Sequence, residues 1–335
     1  MSATFDSVPL LPRAAPAPRP VPEAGGEAIW LQAFVRDLVA LDRPDDGCVP
    51  ADPVYFHRLV QAGTALCGAL FEAERAGCSR ATLRDLLEPV RRMHARAPFI
   101  SRLQIWPRGY QGDFETIECI WQSRAAGADA TSWCLERLAL TSPIAQQHRN
   151  KVFEQARQIR AAVRRKPARI LVLACGGCPD VREASLMPAD LADVELVLTD
   201  ADADALTFAR AVLGPVADRC RFERGDVIRA LRRATGTFDL ILAGGLFDYL
   251  TDRISRRVID LATSRLAADG VFFFTNIAAG NPYRTWIEYF GDWQLLERSE
   301  ADIHELVANV PGCDASIARD ATGLALLVSV RRCIC

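Results

Sequence analysis

The sequence has no excess of positive charge, no apolar run long enough to cross a bilayer and few histidines. Each shortage excludes something. Lys and Arg number 40 against 42 Asp and Glu, a formal net charge of −2. Nucleic-acid binders ordinarily carry a basic surplus, so that class is disfavoured. No apolar stretch reaches the roughly 20 residues that span a membrane. The N-terminus lacks an apolar segment followed by a small-residue cleavage site. Neither membrane insertion nor a secretory signal is expected, and the expected location is cytoplasmic. Four histidines leave little material for zinc ligation or for a general base. The eleven cysteines are scattered singly, many within apolar segments, as at Cys67, Cys119 and Cys134. That is how a reducing compartment uses thiols, as small core residues. No internal repeat is found.

What is present is the composition of a soluble globular protein: 335 residues, 50% hydrophobic and 24% charged, enough for one large domain or two ordinary ones. Residues 1–26 are rich in Pro and Ala and read as a disordered tail. From 27 to 150 the apolar spacing is helical. Trp30, Phe34, Leu38 and Leu41 form one stripe; Leu59, Ala62, Leu66, Ala69 and Leu70 a second; Leu83, Leu86, Leu87 and Val90 a third, with Ser79 as its N-cap. One irregular segment, Trp106-Pro-Arg-Gly-Tyr-Gln-Gly-Asp113, interrupts this half.

From 151 to 335 the pattern changes after Lys166-Pro167. Short continuous apolar runs (168–174, 194–199, 221–224, 238–243 and 271–276) alternate with helical stretches. That alternation predicts a parallel sheet covered on both faces. A hairpin is expected around Asp320-Ala-Thr-Gly323. The predicted class is α/β: a Rossmann-like sheet preceded by an all-helical domain.

The run Ile170-Leu-Val-Leu-Ala-Cys-Gly-Gly-Cys178 reads as a buried strand ending in a glycine turn, where a ligand can approach the backbone. The next strand ends in Asp200, placed to accept hydrogen bonds from ribose hydroxyls. A dinucleotide would call for Gly-x-Gly-x-x-Gly, with its pyrophosphate on the helix N-terminus. Here the third glycine is missing and Asp180 and Glu183 follow, where they would repel phosphate. S-adenosylmethionine carries no phosphate, and its cationic groups tolerate acids. Asp226 after the third strand and the Gly244-Gly245 loop after the fourth complete an ordered set for that cofactor. The expected cofactor contacts are Ala174, Cys175, Gly176, Gly177, Asp200, Ala201, Asp226, Val227, Gly244, Gly245, Leu246 and Tyr249. Cys175 and Cys178 have redox or zinc spacing. They lie in the cofactor turn, and zinc would need two more ligands nearby, so no metal is expected.

The stretch from about 145 to 331 resembles class I S-adenosylmethionine-dependent methyltransferases. A narrower resemblance rests on Arg108-Gly-Tyr-Gln-Gly-Asp-Phe-Glu-Thr-Ile117, Ser142-Pro-Ile-Ala145 with Arg149, Gly245-Leu-Phe-Asp-Tyr-Leu250, Asn281-Pro282 and Asp292-Trp-Gln-Leu-Leu-Glu-Arg298. These phrases look like a bacterial group labelled as extracellular-factor (3-hydroxypalmitic acid methyl ester) biosynthesis methyltransferases. The resemblance implies cofactor contacts at Ala174, Gly176, Asp200, Asp226 and Gly245. It also implies a 108–113 segment packed over the donor, and methyl transfer to a fatty-acid carboxylate or to a natural-product intermediate.

Methyl transfer needs a base only for a neutral hydroxyl or a protonated amine. The lack of an obvious base is compatible with ester formation. The catalytic candidates are Tyr110, Asp113, Arg149 and His148, in a helical half read as a lid that closes the acceptor pocket. His57, His94 and His304 read as structural or surface residues. The expected function is methyl transfer to oxygen or nitrogen of a small-molecule acceptor; a homodimer is allowed. The alternative is a catalytically inactive methyltransferase-like binding or scaffold protein, against which the intact glycine turn and Asp200 argue. A nucleic-acid methyltransferase is disfavoured by the charge and by the absence of a base-flipping motif after the fourth strand.

Overall fold

The computed structural model describes residues 30–44 and 52–333. The Pro/Ala-rich stretch 1–26 lies outside the described residues. Eight helices come first: α1 (Leu31–Val39), α2 (Pro53–Arg75), α3 (Arg80–Leu86), α4 (Glu88–His94), α5 (Pro98–Ile105), α6 (Phe114–Gln122), α7 (Ala130–Thr141) and α8 (Pro143–Val163). The expected third stripe is split into two short helices. Pro89, one residue into α4, has no N–H to continue α3, so the chain restarts at Leu87. Ser79 caps α3 as expected, its hydroxyl accepting from the Thr82 N–H at 3.1 Å.

The second half alternates strand and helix: β1 (Ala168–Leu173), α9 (Pro179–Glu183), β2 (Val194–Asp200), α10 (Ala203–Leu213), β3 (Cys220–Arg224), α11 (Val227–Arg233), β4 (Phe238–Ala243), α12 (Asp252–Ser264), β5 (Leu266–Ile277), α13 (Arg284–Tyr289), α14 (Glu300–Val307), β6 (Cys313–Arg319) and β7 (Ala325–Arg332). The seven strands lie in the order β3-β2-β1-β4-β5-β7-β6. The first five pair in parallel, and β7 runs antiparallel to both neighbours. This is a Rossmann-like sheet, ending in the hairpin expected at Asp320–Gly323. Asp320 holds that turn, its carboxylate accepting from the N–H groups of Leu324 and Ala325 at 3.0 Å each. The inner strands are buried on both faces, hence their continuous apolar runs. One face packs under α8, α9 and α10 through Ile159, Val181 and Leu206; the other under α11, α12 and α14 through Leu231, Ile259 and Ile303.

The two halves are more entangled than the sequence suggests. Position 150 falls inside α8, whose early residues Ile144 and Ala145 join the helical core while Ala156 and Ile159 join the sheet core. The helical core also takes Ile287, Tyr289, Phe290, Trp293 and Leu295 from the segment after β5. Ion pairs tie that segment down. Asp292 accepts from Arg84 at 2.5 Å and from Arg91 at 2.6 Å, Glu288 from Arg80 at 2.7 Å, and Glu74 from Arg284. The helical half is therefore assembled from both ends of the chain.

Candidate functional site

One cavity of about 860 Å³ opens at the carboxyl ends of β1, β2 and β4, where open α/β sheets place ligands. The turn after β1 forms its floor. Three residues within five, Ala174, Gly176 and Cys178, have positive φ of 50–53°. Only glycine adopts this conformation without strain, so the turn is held by its surroundings. The Cys175 N–H donates to the Thr199 carbonyl at 3.0 Å, and the Gly176 N–H to Asp200 Oδ2 at 2.9 Å. A Cβ on Gly177 would come within 2.8 Å of the Phe208 ring, so this glycine serves close packing of α10.

Asp200 therefore has two tasks. One oxygen anchors the glycine turn, and the other accepts from the Asp202 N–H at 2.9 Å. Burial raises its pKa, while the backbone hydrogen bonds pull it down. Asp226 caps α11, accepting from the Arg229 N–H at 2.9 Å. A Cβ on Gly244 would lie 2.1 Å from the Gln155 amide, so the present placement of Gln155 relies on the bare glycine. Asp180, at the start of α9, is 3% exposed, and burial pushes its carboxyl up to about 6. All twelve positions expected to touch a cofactor line this one cavity.

The segment from Trp106 to Phe114 closes the cavity from the helical side. Arg108 donates to Asp202 at 2.7 and 3.0 Å and to Asp204 at 2.6 Å, and the Tyr110 hydroxyl donates to Asp202 at 3.0 Å. The Arg108 guanidinium holds the Asp202 carboxyl down at about 2. Gly112 has φ +64°, and a Cβ on it would lie 1.9 Å from the Tyr249 hydroxyl. That hydroxyl accepts from the Trp293 indole N–H at 2.8 Å, so the loop, the β4 turn and the post-β5 segment meet at Gly112.

Two of the four catalytic candidates, Tyr110 and His148, line the cavity. The other two need correction. Asp113 caps α6, accepting from the N–H groups of Glu115 and Thr116 at 3.0 Å each, and pairs with Arg102 at 2.6 Å. It is 2% exposed and is not part of the cavity's lining. Arg149 turns away from the cavity and donates to the carbonyls of Ile120 at 2.9 Å and Leu140 at 3.0 Å, closing the ends of α6 and α7. Adjacent helical residues point about 100° apart, so His148 and Arg149 cannot both face the site. Among the other histidines, His94 is buried in the helical core with Nδ1 at 2.8 Å from the Val90 carbonyl, and burial lowers its pKa to about 4.

No family model matches the chain, and no curated protein matches it. Among solved structures, it is similar to a possible exported protein from Bordetella parapertussis, with a TM-score of 0.57 and 17% identity over 93% of this chain and 98% of that one. That similarity extends over both halves and shows the fold. The chain is also similar to a magnesium protoporphyrin IX methyltransferase from Synechocystis with bound S-adenosylhomocysteine: TM-score 0.43, 12% identity, 56% of this chain and 87% of that one. A third likeness is an S-adenosylmethionine-bound amino pentose methyltransferase from Micromonospora echinaspora, involved in calicheamicin biosynthesis: TM-score 0.39, 15% identity, 56% of this chain and 96% of that one.

Sequence reasoning missed the buried pair at the inner wall. Lys151 Nζ donates to Asp248 Oδ2 at 2.8 Å, with the side chains 3% and 1% exposed, and both residues line the cavity. Asp248 Oδ1 also accepts from the Ile277 N–H at 2.6 Å, so the β4 loop is clamped between α8 and β5. Arg298 secures the same loop through the Phe247 carbonyl at 2.8 Å and the Leu250 carbonyl at 2.5 Å. One signal was available. Lys151 is one of two lysines among 40 basic residues, and it follows His148 at the helical spacing that puts both on one face.

Proposed function

We propose that this protein is a methyltransferase that takes S-adenosylmethionine as methyl donor and acts on a small-molecule acceptor. The observation that carries the reading is the charge of the cavity wall. Asp180, Asp200 and Asp226 line it, and no ion pair joins any of the three among the described residues. The cavity's lysine is already engaged by Asp248. Such a wall repels the pyrophosphate of a dinucleotide and favours a donor with ammonium and sulfonium charges. The bare turn at Gly176 and the volume of about 860 Å³ fit an adenosyl group with an amino-acid arm.

When bound, the cofactor supplies a methyl group on a sulfonium sulfur, transferable by in-line displacement. Asp200 would hold the ribose hydroxyls while its other contacts hold the turn still, and Asp226 and Val227 would hold the adenine. The Trp106–Phe114 segment, fastened through Arg108 and Tyr110 to Asp202, excludes water, and the Lys151–Asp248 clamp keeps the β4 loop at a fixed distance from α8.

Calorimetry tests the reading. The wild type should bind S-adenosylhomocysteine, and Asp200→Ala should weaken that binding roughly ten- to hundred-fold, about 1.5–3 kcal/mol for lost charge-assisted hydrogen bonds. A wild type that fails to bind the thioether overturns the reading; an unchanged Asp200→Ala removes that residue from it.

A further inference from the structure

The α8 wall of the cavity carries an imidazole that the cofactor contacts leave unused. On α8, His148, Lys151, Val152 and Gln155 recur at helical spacing and face the cavity. His148 is 8% exposed, its ring stacked on Trp293 at 5.4 Å between centroids and 19° between planes. Neither ring nitrogen has a hydrogen-bond partner among the described residues. Its nitrogens are open to the cavity and can hydrogen-bond a ligand there.

Charge selects that ligand. The other acids of the wall are neutralised: Glu118 by Arg182 at 2.6 Å, Asp202 by Arg108 at 2.7 Å, and Asp248 by Lys151 at 2.8 Å. Asp180, Asp200 and Asp226 stay unpaired. These three acids and the donor's own carboxylate already outnumber the ammonium and sulfonium charges the donor brings, so a carboxylate acceptor would add a further anion at the cost of its own hydration.

We propose that the acceptor is a neutral hydroxyl compound and that His148 is the base that takes its proton. This rests on the methyl-transfer reading above. A lone pair of the hydroxyl oxygen forms the bond to the donor's methyl carbon. The carbon–sulfur bond breaks, and sulfur keeps that pair and loses its positive charge. The oxygen–hydrogen bond breaks, and the proton passes to an imidazole nitrogen and then to solvent. Lys151 has two further N–H groups beyond its bond to Asp248 and can hold the acceptor oxygen.

Burial, then the neighbouring cations Lys151 and Arg149, keep His148 well below the ordinary imidazole range. Trp293, on which the ring stacks, is neutral. The imidazole is therefore free to accept a proton at neutral pH. A base this weak suffices for a hydroxyl, whose proton becomes strongly acidic as the new bond forms. It does not suffice for an alkylammonium, which must lose its proton before it can attack. The face of Trp106, Ile117 and Val152 suits an acceptor with a flat or apolar body.

The probes are naphthol and naphthoate, alike in ring size and different in charge, offered to the full-length protein saturated with S-adenosylhomocysteine. By calorimetry at neutral pH, naphthol should bind at least about ten-fold more tightly, a difference of about 1.4 kcal/mol. With labelled donor in place of the thioether, naphthol should be methylated. His148→Gln should lower that rate at least about a hundred-fold, leaving S-adenosylhomocysteine affinity unchanged. Naphthoate bound as well or methylated, naphthol unbound or bound without methylation, or His148→Gln retaining the rate or weakening thioether binding each overturn the proposal. Failure of the wild type to bind S-adenosylhomocysteine at all would instead overturn the methyl-transfer reading.

Discussion

At the scale of single residues, the cavity is built from acids kept apart by their environments. Asp202 is held low by Arg108, whereas Asp180 is pushed up to about 6 from 3.8 by burial. The second shift has a stability consequence. Above pH 6 the carboxyl is charged in both folded and unfolded chains, and only the folded chain bears the desolvation cost. As pH falls through 6 the folded state takes up a proton that the unfolded state does not bind until 3.8, so Asp180's unfavourable contribution is relieved across that window. Asp180→Asn should therefore be more stable than the wild type well above pH 6, by about 2–3 kcal/mol at about 1.4 kcal/mol per pH unit. The advantage should vanish near pH 4. Denaturant midpoints at both ends of the range check this, and an advantage independent of pH would disprove the cause. The same variant should bind S-adenosylmethionine less tightly, because a cavity that retains a costly buried charge gains from it when the ligand is cationic.

At the scale of elements, α8 and the Trp106–Phe114 loop divide the labour. One helix presents His148 and Lys151 to the cavity and, one residue away, sends Arg149 to brace the ends of α6 and α7. Arg149→Ala should act on stability, costing about 2 kcal/mol for two charge-assisted bonds. That is a Tm several degrees lower, at roughly 2–4 °C per kcal/mol. S-adenosylhomocysteine affinity of the folded fraction should stay unchanged. Tyr110→Phe should do the reverse. It removes one bond, to Asp202 at 3.0 Å, from a tyrosine that is 42% exposed, so Tm should barely move while the loop seats less firmly and thioether affinity falls several-fold. Thermal melts and calorimetry on the same preparations separate the two; equal effects from both variants would contradict this division.

At the scale of the whole molecule, the helical layer and the sheet share α8 and the post-β5 segment. The helical half has no closed core without the segment after β5. A fragment of residues 151–335 would lack the first turns of α8 and expose Tyr289, Phe290 and Trp293, which are now 0–4% exposed. It should aggregate or lack fixed tertiary structure. The full chain should melt in one transition, with calorimetric and van't Hoff enthalpies agreeing. Two separated transitions, or a fragment that unfolds cooperatively, would refute the shared core.

Local chemistry made much of this legible in advance. Strands buried on both faces read as continuous apolar runs, and Ser79 and the Asp320 turn announced their elements, because each depends on neighbours within a few residues. That the twelve positions line one cavity was legible for the same reason: turns at successive strand ends return to one edge once the sheet is parallel. Asp113 and Arg149 were misplaced because a family-like phrase marks a residue without saying which way its side chain points, and one step along a helix turns it by about 100°. The Lys151–Asp248 pair, 97 residues apart in sequence, exists only where α8 meets the loop after β4. The docking of Trp293 behind His148 likewise needs the post-β5 segment to cross into the helical layer. Sequence periodicity reports which face of an element is apolar. Which faces meet, and so which polar group is left without a partner at the cavity wall, was decided by the packing.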